Sequence, residues 1–262
     1  MTPFVDASWL SDHPEAVLAD VRYYLDGRSG RAAYEQAHLP GAVFVDLEGC
    51  LAAPASAADG RHPLPAPDVF AAGMGAAGIG EDDMVVAYDD DCGVIAARLV
   101  WMLRVTGHAA ALLDGGITAW RGRHEAGVVT RPPAAFAARG WPAEQLAGID
   151  DLLDAPLLDA RPAHRFRGED ETVDVRAGHI PGARSLPARA SSDERGLLLP
   201  VPVLRARLRE AGVGPGWVSS CGSGVTACHT LLVAEHLGLP AGRLYPGSWS
   251  QWAATDRPAE LG

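Results

Sequence analysis

An α/β fold repeated twice in tandem, each copy a mostly parallel sheet flanked by helices, is predicted by three features of the chain. Four sequence blocks recur in the same order in both halves. Within each copy, short apolar runs alternate with longer Ala/Leu/Arg segments, the rhythm of βα units. The length, 262 residues, suits two domains of about 120 to 130 residues, each large enough to bury a core.

The repeat is read directly from matched blocks. Leu18-Ala-Asp20-Val-Arg22 precedes Ala37-His38-Leu-Pro-Gly-Ala42, and Leu157-Leu-Asp159-Ala-Arg161 precedes Gly178-His179-Ile-Pro-Gly-Ala183. The run from Val85 to Ala96 answers Trp217 to Ala227, and Leu113 to Trp120 answers Tyr245 to Trp252. Pairing Gly93 with Gly224 puts Asp90 opposite Cys221, so the first copy lacks a nucleophile at that position. One active site is expected, in the second copy and facing the first. His38 and His179, each before an apolar-Pro-Gly turn in both copies, are expected to stabilise structure.

The elements follow from local pattern. Val17-Leu18, Val43 to Val45, Val85-Val86 and Leu112-Leu113 read as buried parallel strands, which are apolar on both faces. Ala96 to Thr106, Pro202 to Ala211 and Thr226 to Leu237 read as helices. Residues 125–145 hold Arg-Pro-Pro, Ala-rich and Gly-Trp-Pro stretches without periodicity and read as a linker between a first domain, 1–124, and a second, 146–262. Leu51 to Leu64, irregular and without a counterpart in the second copy, is expected to be a lid or substrate-contacting loop.

Composition narrows the partners. A formal charge of −11 argues against nucleic acid and acidic membrane surfaces, which need clustered positive charge. Small anions remain open through local sites. None of the 22 basic residues is lysine, so lysine chemistry is absent. The amino terminus lacks a basic segment followed by an apolar one, and no run of about 18 apolar residues occurs, so a soluble cytoplasmic protein is expected. Cys50, Cys92, Cys221 and Cys228 form no Cys-x-x-Cys pair, and reduced thiols are the expectation. The histidines show no metal-ligand spacing, and no cofactor is implied.

The most informative stretch is Ser219-Ser-Cys221-Gly-Ser-Gly-Val-Thr-Ala227. An apolar lead-in, Trp217-Val218, feeds a cysteine into a Gly/Ser loop that opens into a helix. A thiol there faces unpaired N–H groups and the positive end of the helix dipole, which favour the thiolate.

Taken together, Asp-x-Arg, His-(Ile/Leu)-Pro-Gly-Ala, a cysteine loop in the second copy alone and Gly-Ser-Trp-x-x-Trp resemble the two-domain rhodanese-type sulfurtransferases over nearly the whole chain. Cys221-Gly-Ser-Gly-Val-Thr226 resembles the 3-mercaptopyruvate version of that loop; thiosulfate-using members typically carry Arg and Lys there. Thiosulfate is a compact dianion whose charge loop cations would offset. Mercaptopyruvate carries one carboxylate and a ketone, and neutral Gly222 and Ser223 suit it.

The resemblance implies roles. Cys221 takes sulfur from mercaptopyruvate as a persulfide, pyruvate leaves by way of its enolate, and a thiol acceptor such as thioredoxin or a small dithiol, or cyanide, removes the sulfur. Gly222, Gly224, Val225 and Thr226 contribute loop N–H groups that hold the outer sulfur. Arg165 clamps the donor's carboxylate, a guanidinium being a fork suited to it. A second arginine is often present in the family, but a straight count puts Thr172 there, which leaves Arg176 as the nearby candidate. Ser223, His62 and an acid would form a proton relay; the acid falls on Glu48, where other members place Asp, with Asp46 as a substitute. Trp249 and Trp252 match aromatic residues that wall the family's site, although Gln251 and Pro246 replace its usual acidic residues.

Two other classes fit less well. A Cys-dependent phosphatase or arsenate reductase needs Cys-x5-Arg to bind its oxyanion, and residue 227 is Ala. A non-catalytic binding module would not need Cys221. Within the sulfurtransferase class, thiosulfate is the alternative donor.

Overall fold

The computed structural model describes residues 1–262 and divides them into two compact units. The first contains strands β1 (Phe4–Val5), β2 (Val17–Asp20), β3 (Val43–Phe44), β4 (Val85–Tyr88) and β5 (Ala110–Leu113). Its helices are α1 (Ala7–Asp12), α2 (Gly30–Gln36), α3 (Leu47–Cys50), α4 (Pro67–Ala76), α5 (Ala97–Val105) and α6 (Gly116–Ala119). The second contains strands β6 (Leu157–Asp159), β7 (Arg184–Ser185), β8 (Val218–Ser220) and β9 (Arg243–Leu244). Its helices are α7 (Ala163–Phe166), α8 (Val201–Ala211), α9 (Ala227–His236) and α10 (Ser248–Ala253).

Every strand pairing is parallel, in the orders β1-β5-β4-β2-β3 and β7-β6-β8-β9. The expected pair of parallel sheets flanked by helices is what forms. All four residues of β4 and of β5 are buried, as befits strands covered on both faces. Helix α9 is buried from Ala227 through Ala234, which is why its sequence lacks an amphipathic polar stripe. No helix is long and apolar enough to cross a membrane.

The repeated Asp-x-Arg motif ties each sheet to its neighbouring turn. Arg22 donates through Nη2 to Asp20 at 2.7 Å and to the Ala37 carbonyl at 2.6 Å. Arg161 does the same to Asp159 at 2.7 Å and the Gly178 carbonyl at 2.8 Å. The next residue in each turn, His38 or His179, places Nδ1 on the carbonyl of Tyr34 or Phe166 and stacks on that residue's ring.

The chain does not divide where sequence copies meet. Pro54–Leu64, within the first copy, belongs to the second unit, whereas Ser192–Leu198 belongs to the first. In the first unit the Leu198 N–H donates to Asp114 at 2.8 Å. Most of the irregular stretch 125–145 is part of the first unit: Phe136 packs edge-on to Phe70, and the Trp141 indole N–H donates to the Pro65 carbonyl at 2.8 Å.

Strand register corrects one equivalence between the copies. Asp20 pairs with Tyr88 and Asp159 with Ser220, so Asp89, not Asp90, stands where Cys221 stands. The loop that follows confirms it: the Ile117 N–H donates to the Asp89 carbonyl just as the Trp249 N–H donates to that of Cys221. Asp90 lies beyond the strand and accepts from the Tyr24 hydroxyl at 2.5 Å.

Candidate active site

Cys221 leaves β8 at its carboxyl end, where an open parallel sheet presents ligand-binding loops. Its backbone is held at both groups. The N–H donates to Ser248 Oγ at 3.0 Å, and the carbonyl accepts from the Trp249 N–H at 3.0 Å. Ser248 adopts a left-handed φ of 51°, unusual for a residue with a Cβ, and its hydroxyl in turn donates to the Tyr245 carbonyl at 2.9 Å. The Cys221 residue is only 2 % exposed, so its thiol sits at the floor of the loop.

The loop Gly222 to Thr226 must pass close to the chain before α10. Gly224 has φ +74°, and a Cβ there would lie 2.5 Å from the Pro246 carbonyl oxygen. Only glycine satisfies both conditions. Gly222 to Val225 are buried and Thr226 is half-buried before α9 begins at Ala227.

What such a loop does to a side chain at its mouth is visible in the first unit. Asp89 Oδ1 accepts from the N–H groups of Asp91 and Gly93, and Oδ2 from those of Ile95 and Ala96, all at 2.8 Å. The strand-to-helix turn is therefore an anion nest, filled in that copy by the chain's own carboxylate. In the second copy the residue at that register is a thiol.

His62 and Ser223 are brought together. Nδ1 of His62 lies 2.8 Å from Ser223 Oγ, and His62 is 4 % exposed. The pairing depends on Pro54–Leu64, which carries His62 into this unit. That loop is closed by reciprocal backbone bonds between Ser56 and Gly60 and pinned to α10: the Arg61 N–H donates to Ser250 Oγ at 3.0 Å, and Gln251 donates to the Ala58 carbonyl. Gln251, an amide in place of an acid, is thereby both donor and acceptor, since it also takes the Tyr245 hydroxyl at 2.6 Å.

The acid expected in the relay is Glu48. Glu48 belongs to the first unit, is exposed, and accepts the Tyr23 hydroxyl at 3.1 Å. Asp46, the substitute, caps α3 through the Glu48 N–H.

Arginines gather on the Gly222 side of the loop. A Cβ on Gly222 would meet Arg61 Nη2 at 3.1 Å, Arg165 Nη1 at 3.6 Å and Arg161 Cδ at 3.9 Å. Arg165 donates through Nη2 to Glu171 and to Asp174, each at 2.8 Å. Arg61 donates through Nη1 to the other oxygen of Asp174 at 2.6 Å. Burial works to raise the Glu171 carboxyl, but N–H groups of Asp174 and Val173 and the Arg165 guanidinium outweigh it and hold it below the usual range.

Two expected residues take different places. Arg176 donates to the carbonyls of Arg257, at 2.8 Å, and Trp252, at 3.3 Å, and so fastens the carboxyl-terminal segment to α10. Trp249 is 0 % exposed and is a core residue rather than an open wall. The Arg161 and Arg176 guanidinium carbons lie 5.0 and 5.7 Å from its ring centre, and its indole N–H donates to the Arg176 carbonyl. A fully buried indole facing two cations stiffens their guanidinium groups. Arg61 was missed by sequence reasoning; its only local signal is adjacency to His62.

Comparison with known proteins gives the family. The rhodanese-like domain family model matches residues 6–123 and again 142–255. A Pseudomonas aeruginosa protein named "Probable 3-mercaptopyruvate sulfurtransferase" is 41 % identical over 262 residues, covering 93 % of this chain and 91 % of that one. A Mycobacterium tuberculosis protein, named for thiosulfate sulfurtransferase, is 40 % identical over 256 residues and covers 92 % and 88 %. The solved 3-mercaptopyruvate sulfurtransferase from Leishmania major superposes with a TM-score of 0.88 at 33 % identity, covering 98 % of this chain and 75 % of that one. With both halves matched and relatives aligned along nearly its full length, the chain belongs to the rhodanese-like domain family.

Proposed function

We propose that the protein is a sulfurtransferase that takes sulfur from 3-mercaptopyruvate onto Cys221 as a persulfide and passes it to a thiol acceptor. The observation that carries this reading is the position of Cys221, at the register where the sister unit holds an anion in a nest of four N–H groups. The Cys221 thiolate attacks the donor's sulfur. An S–S bond forms as the C–S bond breaks, and the electron pair leaves on carbon as the enolate of pyruvate. The loop N–H groups from Gly222 through Ala227 then hold the anionic outer sulfur.

The enolate needs a proton on carbon. Ser223, 2.8 Å from His62, is placed to deliver it, with the imidazole resupplying the hydroxyl. Arg165 orients the donor's carboxylate from the Gly222 side of the loop. Cys228 is fully buried with its thiol on the Gly224 carbonyl, so the persulfide is resolved by an external thiol, a small dithiol or a thioredoxin-like protein, and not by a neighbour. Four free cysteines suit a reducing compartment such as the cytoplasm.

Thiosulfate is the second reading, because one relative of nearly equal identity carries that name. Turnover separates the two. With mercaptopyruvate and a dithiol the protein should release pyruvate, and Cys221→Ser should release none; sulfite from thiosulfate at a higher kcat/KM would reverse the donor assignment.

A further inference from the structure

We infer that Asp174 and Arg61 are specificity-determining residues that set the charge of the donor the site accepts, an inference that rests on the sulfurtransferase reading above. The two oxygens of the Asp174 carboxylate each hold one arginine, Oδ1 taking Arg61 Nη1 at 2.6 Å and Oδ2 taking Arg165 Nη2 at 2.8 Å. Glu171 takes the remaining edge of Arg165, Nε at 3.3 Å and Nη2 at 2.8 and 3.0 Å. Both carboxylate side chains are only 3 % exposed. The free ends of the two guanidinium groups, Arg61 Nη2 and Arg165 Nη1, are those that face Gly222 beside the nucleophile.

Arg61 and Arg165 contribute two positive charges, and Asp174 and Glu171 two negative ones, so the clamp is neutral as a whole. Arg161, the third arginine near Gly222, is matched by Asp159 at 2.7 Å. Such a clamp offers oriented N–H donors to one carboxylate without the net positive charge that a compact dianion needs for its desolvation. Arg61 Nε is buried without a hydrogen-bond partner, and Arg161 Nη1, also without a hydrogen bond, has Glu171 as a long ion-pair partner at 3.9 Å, an arrangement whose cost a bound anion would relieve. Asp174 thus acts against the wrong donor as much as for the right one, the repulsive half of a specificity device. Arg61, which reaches the site on the Pro54–Leu64 segment, supplies the second guanidinium that Arg176 does not.

The test is the ratio of kcat/KM for mercaptopyruvate to that for thiosulfate in the full-length protein. Asp174→Asn removes one negative charge and leaves both arginines; it should raise kcat/KM for thiosulfate and lower the ratio by about tenfold or more. Arg61→Gln should raise KM for mercaptopyruvate by about tenfold with kcat little changed, the mark of lost ground-state binding. Asp174→Glu, which keeps the charge, should keep the ratio near that of the wild type. An equal fall with both donors in Asp174→Asn, at an unchanged ratio, would reduce the residue to a structural role and overturn the inference while leaving the sulfurtransferase reading intact. A wild-type protein that formed no persulfide from either donor would overturn that reading and the inference with it.

Discussion

At the scale of single residues, the site divides its labour between a thiol, a hydroxyl–imidazole pair and arginines held by carboxylates. In the mechanism proposed above the pair protonates carbon, a step that mercaptopyruvate requires and thiosulfate does not, since sulfite leaves as a stable anion. Ser223→Ala and His62→Ala should therefore lower kcat for mercaptopyruvate by about 10²-fold while changing thiosulfate turnover far less. Steady-state assays with both donors would show it, and an equal loss with both would remove the pair from proton transfer. Glu171 makes a different kind of prediction. Its carboxyl is held below the ordinary value of 4.5, so folding favours the ionised form. The stability it contributes is present above that ordinary value and is lost as pH falls through the lower, folded value. Glu171→Gln should be less stable than the wild type in urea at pH 7, with the gap narrowing on acidification below 4.5; a gap that stayed constant would place the residue's contribution outside ionisation.

Among the elements, the strand-to-helix turn after β8 matters most. Its path is fixed by Gly224, whose φ of +74° and closeness to Pro246 leave no room for a Cβ. Gly224→Ala should cost about 3 kcal/mol, from the left-handed backbone and overpacking together, and should displace the Cys221 loop. Denaturant unfolding would measure the first effect and loss of turnover the second. Much of this element was legible in the sequence, because β4 and β8 sit on matched blocks and α9 is a long apolar run bounded by Gly and Leu-Gly. The exact equivalence of Asp89 with Cys221 was not. Gly93 lies four residues after Asp89 and Gly224 three after Cys221, so pairing the glycines slips the alignment by one. Strand pairing, a non-local fact, restores it. Arg61 was hidden for a related reason: its partners Asp174 and Ser250 are 113 and 189 residues away in the chain. Trp249 could be recognised as aromatic beside the site, but its depth behind Arg161 is set by packing that no local pattern encodes.

In the molecule as a whole, duplication has given two copies of one nest and two different occupants. The first copy keeps Asp89, an internal carboxylate whose burial pushes its pKa up to about 6 against the four N–H groups that hold it, and has no thiol at that register. The second has Cys221 at that register, and in the mechanism proposed above the outer sulfur of its persulfide is the anion that the nest would hold. The exchange of Pro54–Leu64 into the second unit then supplies that copy with His62 and Arg61, which its own repeat lacks. A net charge of −11 leaves the overall field unfavourable to anions, which is why the proposed donor selection is assigned to the local arginines. The proposed sulfur transfer depends first on covalent sulfur at one cysteine. Intact-mass measurement of the protein after a single exposure to 3-mercaptopyruvate, without acceptor, tests this directly. The wild type should gain the mass of one sulfur atom, lose it on addition of a dithiol, and Cys221→Ser should gain none; an equal gain in that variant, or pyruvate release without any gain, would contradict a persulfide on Cys221.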